Sequence, residues 1–207
     1  MNTGIRIILD SVSRRACPAA GRWPRALAAL PLVVAALLIA HPRPAGAESD
    51  EYQSPEDFVR TAFPDADPAA RALWLRAGLR DDAAELLGRA PAPRIRYWQA
   101  GSRTAWILDE IGKDRPITAG VVVDGGAIAD VRVLVFRESR GWEVKHAFFT
   151  DQFHDARLTA DHDLDQAIDG ITGATLSVRA MKKMARLALL LDAHAQGRSA
   201  DLATRSP

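Results

Sequence analysis

The sequence predicts an α+β fold: an antiparallel twisted sheet, preceded by short N-terminal helices and followed by one C-terminal helix. Three observations carry this. Between residues 94 and 149, Val, Ile, Trp, Tyr and Phe gather in short runs separated by turn-forming groups, the texture of a meander. Before residue 94, apolar residues recur at helical intervals and are interrupted by Pro and Gly. From residue 177 to 195 the apolar positions repeat with a period near 3.6.

Taken in order, residues 48–53 read as a loose lead-in. Ser54 is a helix N-cap, Pro55 stands at the first helical position, and Glu56 and Asp57 fill the first turn. Phe58, Ala62 and Phe63 give this helix an apolar side. After a break at 64–68, Ala72, Leu75 and Leu79 suggest a helix over 68–79. A further short helix over 81–87 is stopped by Gly88 and the prolines at 91 and 93. Residues 48–93 thus form a helical N-terminal segment.

Strands are predicted over 94–99, 104–109, 117–124, 127–136 and 142–149. Asp124, Gly125 and Gly126 make the clearest hairpin turn. Val131, Val133 and Val135 are read as facing the core, and Leu134 and Phe136 imply that the other face is partly covered. Residues 150–168 are rich in aspartate and predict loop plus a short helix. In the closing helix Ala180, Met181, Met184, Leu187, Ala188 and Leu191 form the apolar stripe; Arg179, Lys182, Lys183 and Arg186 lie off it, on a wet face or facing an acidic partner. Residues 197–207 read as a polar tail.

The N-terminus reads as a secretory signal over residues 1–47. Arg14, Arg15, Arg22 and Arg25 precede the uncharged apolar run 26–40, and Pro44, Ala45, Gly46 and Ala47 supply small residues for cleavage. The apolar run has 15 residues, against the roughly 20 that span a bilayer as a helix. Cleavage after Ala47 is expected; the alternative is an uncleaved inner-membrane anchor. Either places the protein in the periplasm or facing it. Cleavage removes six of the 27 basic and one of the 26 acidic residues, leaving 21 and 25, a formal net charge of −4. That balance speaks against a nucleic-acid partner. The one cysteine, Cys17, lies inside the signal, so the mature chain has no thiolate for a disulfide, an iron–sulfur cluster or a Cys-linked haem. No metal site is expected. His146, His154, His162 and His194 lack zinc-site spacing, and Asp161, Asp163 and Asp165 lack the glycine and glutamate that complete a calcium loop.

The chemistry lies in Asp169, Gly170, Ile171, Thr172, Gly173, Ala174, Thr175, Leu176 and Ser177, where loop meets helix. Thr172, Thr175 and Ser177 put three hydroxyls at a helix start. Gly173 permits a sharp turn and a close approach, and Ala174 adds almost no bulk. Amides at a helix N-terminus favour an anion, so the segment is built like a phosphate seat. The alternative is plain helix capping by a hydroxyl.

The nine residues resemble the flavinylation motif of the FMN-binding domain family, which includes subunits of the sodium-pumping quinone reductase and of the related ferredoxin-oxidising membrane complex. Its pattern, Asp-x-x-(Ser/Thr)-Gly-Ala-(Thr/Ser)-x-(Ser/Thr), is met by Asp169, Thr172, Gly173, Ala174, Thr175 and Ser177. Upstream, Pro116 and Ile117, the glycines at 125 and 126, residues 131–136, and Glu138 with Ser139 follow the family's order more loosely. The resemblance covers about 105–190, within an expected FMN-binding domain over 94–196. It implies FMN joined by a phosphodiester to Thr175, installed by a separate flavin transferase that uses FAD and a divalent metal. Gly173, Ala174, Thr175 and Leu176 would line the phosphate with amides. Ser177 would cap the helix or bond the phosphate, and Asp169 would brace the turn or be read by the transferase. Glu138 and Ser139 would lie near the flavin ring or ribityl chain. Trp142 and Phe153 are candidates to flank the ring, with core packing as the alternative reading.

The function so implied is a periplasmic electron-transfer flavoprotein, a component of a redox system rather than a stand-alone enzyme, with a membrane or periplasmic redox partner. The alternatives are a non-redox binding or regulatory module of the same fold and a flavin-dependent small-molecule reductase component. Mass spectrometry of the protein purified from its own host should find Glu48 as the first residue; a mass that retains residues 1–47 would mean the anchor.

Overall fold

The computed structural model describes residues 50–199; the expected signal segment and the end of the polar tail lie outside them. Six antiparallel strands form one sheet: β1 (Asp50–Glu51), β2 (Ala69–Trp74), β3 (Arg94–Ala100), β4 (Arg103–Ile111), β5 (Pro116–Asp124) and β6 (Ala127–Phe136), in the order β1-β6-β5-β4-β3-β2. The helices are α1 (Pro55–Ala62), α2 (Ala77–Leu87), α3 (Ala147–Thr150) and α4 (Thr175–Ala195). The expected α+β architecture is present.

Local chemistry accounts for much of this. Ser54 caps α1, its hydroxyl accepting from the Asp57 amide at 3.1 Å. Gly88 ends α2 in the left-handed region, with φ 71°. The β5–β6 hairpin needs two residues at positive φ, and Gly125 and Gly126 supply 57° and 79°. Ile117, Ala119, Val121 and Val123 of β5 point to one face and join α2 and α4 in the main core. The opposite face, through Ala105, Val122 and Leu134, meets Phe58, Ala62 and Phe63 of and beside α1. Phe58 lies so close over Gly120 that a Cβ there would sit 2.5–2.7 Å from its ring carbons.

Three expectations fail. Residues 69–74 are the edge strand β2, not the start of a helix; they pair with β3 from Ala69↔Gln99 to Trp74↔Arg94. Most of β2, Ala72 included, is exposed; Leu75 and Leu79 are buried as expected, but from an extended segment and from α2, which begins only at Ala77. Residues 142–149 are not a strand. Gly141, at φ 86°, turns the chain into a 3-10 turn over Trp142–Lys145, followed by α3 and a second 3-10 turn over Asp151–Phe153. Val144, Phe149 and Phe153 enter the core from this segment, at intervals of five and four rather than two.

The alternation of β6 is also broken. Thr118 pairs with Val135 and Ala119 with Val133, leaving Leu134 as an extra residue. Val131 and Val133 face the main core as expected, but past the bulge Val135 packs on the α1 side and Phe136 returns to the main core.

The stripe expected on α4 is buried against the sheet. Two of its off-stripe cations are used inside the fold. Lys183 donates to the Leu87 carbonyl (2.6 Å) and to Glu110 (3.1 Å), which also pairs with Arg89 (2.9 Å). Arg186 donates to the His162 carbonyl at 2.5 Å. The helix ends in a Schellman pattern: Gly197 is left-handed (φ 69°) and the Arg198 amide reaches the Ala193 carbonyl at 2.7 Å. Arg198 thereby meets Asp192, which is fully buried and accepts from the Thr104 hydroxyl at 2.7 Å. Burial pushes the Asp192 carboxyl up from its usual range, against the pull of Thr104 and Arg198.

Because the Phe58 ring rests on Gly120, Gly120→Ala should overpack that face and lower stability by about 1–3 kcal/mol, read from urea unfolding curves.

Candidate functional site

The loop after Phe153 is tied down before it reaches α4. Gln166 donates its side-chain amide to the carbonyls of Gln152 (2.5 Å) and His154 (3.2 Å), and the Gln152 side chain accepts from the Asp169 amide (2.7 Å). Ile168 is buried just before Asp169. A turn follows in which the Ala174 amide donates to the Ile171 carbonyl at 3.0 Å. Gly173, at φ 85°, takes the third position, where a type II turn needs a residue at positive φ.

Helix α4 begins directly out of that turn. Its N-cap is Ala174, and no side chain caps it. The first helical bond runs from the Val178 amide to the Ala174 carbonyl at 2.9 Å. The preceding amides, those of Thr175, Leu176 and Ser177, are therefore left without an intrahelical acceptor. The structure thus removes the plain capping alternative: none of the three hydroxyls closes the helix start. Asp169, Thr172, Gly173, Thr175 and Leu176 are exposed, whereas Ala174 and Ser177 are buried.

Ser177 is covered by the segment after β6. A Cβ on Gly141 would lie 3.2 Å from the Ser177 Cβ and 3.5 Å from the Ala174 Cβ, and would collide with the Ser177 hydroxyl. The chain from Glu138 to Gly141 is in this way brought against the start of α4. Ser139 is exposed there. Glu138 turns to the β4–β5 connection, where its Oε1 accepts from the amides of Lys113 (2.5 Å), Asp114 (2.7 Å) and Arg115 (2.9 Å). Burial pushes its carboxyl up, but the three amides and the Lys113 charge outweigh that and hold it below the usual glutamate range.

The segment beyond Gly141 carries an exposed aromatic group. Trp142 (46% exposed) meets His146 edge-on at 5.3 Å, and His146 stacks on Phe148 (62% exposed) at 6.0 Å. Lys145 Nζ lies 4.1 Å from the Tyr52 ring and 5.2 Å from that of Trp142. In the same turn the Glu143 Oε2 is buried with no hydrogen-bond partner. Phe153, by contrast, is fully buried against Phe149 at 5.5 Å and is a core residue. Sequence reasoning missed His146, Phe148 and Glu143; reading 142–149 as a strand assigned them to sheet faces.

The arrangement can hold an anion. Unclaimed amides at the head of a 21-residue helix meet a solvent-facing hydroxyl on Thr175, with the positive end of the helix dipole behind them. The residues fit the phosphate end of FMN: no side chain occupies the helix start as a cap, and Ala174 keeps it unhindered. Clefts of about 290 and 280 Å³ run along β6, lined among others by Asp130, Val131, Thr150 and Asp151; Thr175 lines neither and stands on open surface.

Fold and turn thus define a class, an antiparallel sheet backed by a long helix whose uncapped start leaves backbone amides and an exposed hydroxyl at the surface. Among known families, residues 112–190 match the FMN-binding domain. The match takes in β5, β6, the 142–153 segment, Asp169, Thr175 and most of α4, and it supports FMN as the cofactor and a flavoprotein as the protein class. The elements from α1 through β3 lie outside it. A search of curated proteins finds no match.

The three amide bonds to Glu138 give a test of how the β4–β5 turn is held. Glu138→Gln should cost about 1–2 kcal/mol at neutral pH. Because the folded-state pKa is depressed, the carboxylate's contribution is complete above the ordinary glutamate range and lost as pH falls through the lowered value. Melting curves of the two proteins should therefore converge in acid.

Proposed function

We propose that this chain is a periplasmic electron-transfer flavoprotein whose FMN is held by a phosphodiester to the Thr175 hydroxyl. The observation that carries the reading is the head of α4: Thr175 is its first residue, exposed, behind a cap that contributes no side chain. A helix of this length normally closes its start with a Ser, Thr, Asp or Asn side chain. Leaving it open keeps its amides for a ligand.

Thr175 Oγ would form the bond to the flavin-bearing phosphorus of FAD supplied by a flavin transferase. The pyrophosphate bond breaks, AMP leaves, and the hydroxyl proton passes to solvent. The amides of Thr175 and Leu176 face the phosphate oxygens, and Gly173 lets the backbone approach them. Asp169, exposed and held through its amide by Gln152, is available to the transferase. Ser177, buried under Gly141, holds the 138–141 segment against the helix rather than bonding the phosphate. Trp142, His146 and Phe148 supply exposed aromatic surface on the segment that Gly141 leads into, and Glu143 an acceptor for a hydroxyl or N–H. The flavin supplies one- and two-electron transfer; the protein's part is to position it and keep it from diffusing away outside the cytoplasm. Its partners would be the transferase and a membrane or periplasmic redox protein.

The chain is co-expressed with a flavin transferase, denatured and weighed. A mass gain of FMN less one water, with flavin fluorescence that stays on the denatured protein, is expected. It should vanish in Thr175→Ala and persist in Ser177→Ala. An unmodified chain beside an active transferase would leave the non-redox module as the better account.

A further inference from the structure

The pairing of β3 with β4 stops halfway. It runs from Ala100↔Arg103 to Tyr97↔Trp106 and no further, although β3 extends back to Arg94 and β4 on to Ile111. Past that point β3 stays bonded to β2, through Arg96↔Ala72 and Arg94↔Trp74, while β4 stays bonded to β5, through Ile107↔Gly120 and Asp109↔Thr118. The sheet forks. A cleft of about 340 Å³ fills the fork, with Arg94, Ile95 and Arg96 on one side and Ile107, Leu108 and Asp109 on the other. The volume lies within the range of small-molecule sites, about 300–1,000 Å³.

The two sides of the cleft differ in chemistry. Successive residues of a strand point to opposite faces. Ile95 and Leu108 belong to the core beneath α4, where Leu187 also lines the cleft. Arg94, Arg96, Ile107 and Asp109 belong to the other face, where Ile107 is half-buried beside the α1 cluster and Arg94, Arg96 and Asp109 are exposed. The cleft therefore has an apolar floor and a charged mouth. At that mouth three arginines stand against one acid, Asp109. Arg89 is engaged by Glu110 at 2.9 Å and by the Asp109 carbonyl at 3.2 Å. Arg94 lies over the Trp74 ring at 5.6 Å. Arg96 is exposed and has no acidic partner among the described residues. The facing strand edges also carry amides and carbonyls that no ladder partner satisfies, groups that a sheet normally pairs.

We propose that the β3–β4 fork is a second ligand site, which takes a small carboxylic acid with an apolar body. The carboxylate pairs with the guanidinium groups of Arg94 and Arg96, whose planar fork suits it, and the body lies along Ile107, Leu108 and Leu187. The lining residues lie almost entirely outside the segment that matches the FMN-binding domain, so the site stands or falls without the flavin reading.

Octanoate is the probe, titrated into the full chain by calorimetry, with amide shifts followed by NMR. Saturable one-to-one binding is expected, with shifts at residues 95, 107 and 108, and at least tenfold weaker binding of octan-1-ol. Arg94→Gln and Arg96→Gln together, both exposed, should weaken octanoate at least tenfold and leave the melting temperature unchanged. The proposal is overturned if octanoate does not saturate, if the alcohol binds as well, if the double variant binds octanoate unchanged, or if the shifts map elsewhere. It is also overturned if an acidic extended peptide binds the fork in preference to octanoate, because the occupant would then be an added strand.

Discussion

Helix α4 lays Val178, Met181, Met184, Ala185, Ala188 and Leu191 into the main core over the sheet, and the position of almost every functional group follows from that contact. Each large side chain buried there contributes about 1.5–3 kcal/mol, enough to hold the helix without help from its ends. Burial alone would tolerate a slide along the axis. Polar contacts forbid it. Near the C-terminal end the fully buried Asp192 meets Thr104 and Arg198; midway Lys183 meets Glu110 and the end of α2. A shift of one turn would part Asp192 from Thr104 and Glu110 from Lys183, leaving each buried carboxylate with a single arginine, Arg198 and Arg89, and each hydrogen bond to a charged group so lost costs about 1.5–3 kcal/mol. The first turn of α4 therefore emerges at one place only.

That anchoring is what makes an open helix start tolerable. A missing cap costs about 1 kcal/mol, small beside the apolar face that holds α4 down. The stability of the helix is supplied along its length, and its N-terminus is left for binding. Gly141 has the same logic. Its absent side chain lets the segment after β6 close on Ser177 and Ala174, which sets the exposed Trp142, His146 and Phe148 on the chain that leaves that contact. Glu138, three residues earlier, fixes the β4–β5 connection from the same segment.

The elements outside the FMN-binding match are more than a lead-in. Helix α1 seals the second face of the sheet, with Phe58 on Gly120. Strand β2 draws the start of β3 away from β4, and α2 with the loop through Pro91 and Pro93 carries the chain round the gap so produced. An antiparallel meander of this kind would otherwise zip closed along β3 and β4.

Features set by a few neighbouring residues were legible in the sequence: the Ser54 cap with Pro55, the glycines of the β5–β6 hairpin, the Gly88 stop, the apolar stripe of α4 and the turn from Asp169 to Ser177. Each depends on backbone geometry or periodicity within one or two turns of chain. What only the tertiary structure decided rests on partners far away along the chain. Residues 69–74 become a strand because β3, thirty positions on at Ala69↔Gln99, offers a free edge. The 142–153 segment coils because Val144, Phe149 and Phe153 reach the core at intervals of five and four, which an alternating strand cannot supply. The Leu134 bulge sends Val135 to the wrong face for its pattern. Composition named the hydroxyls at the head of α4, but the absence of a cap, the burial of Ser177 and the exposure of Thr175 came from how the loop and Gly141 pack, which no local pattern encodes.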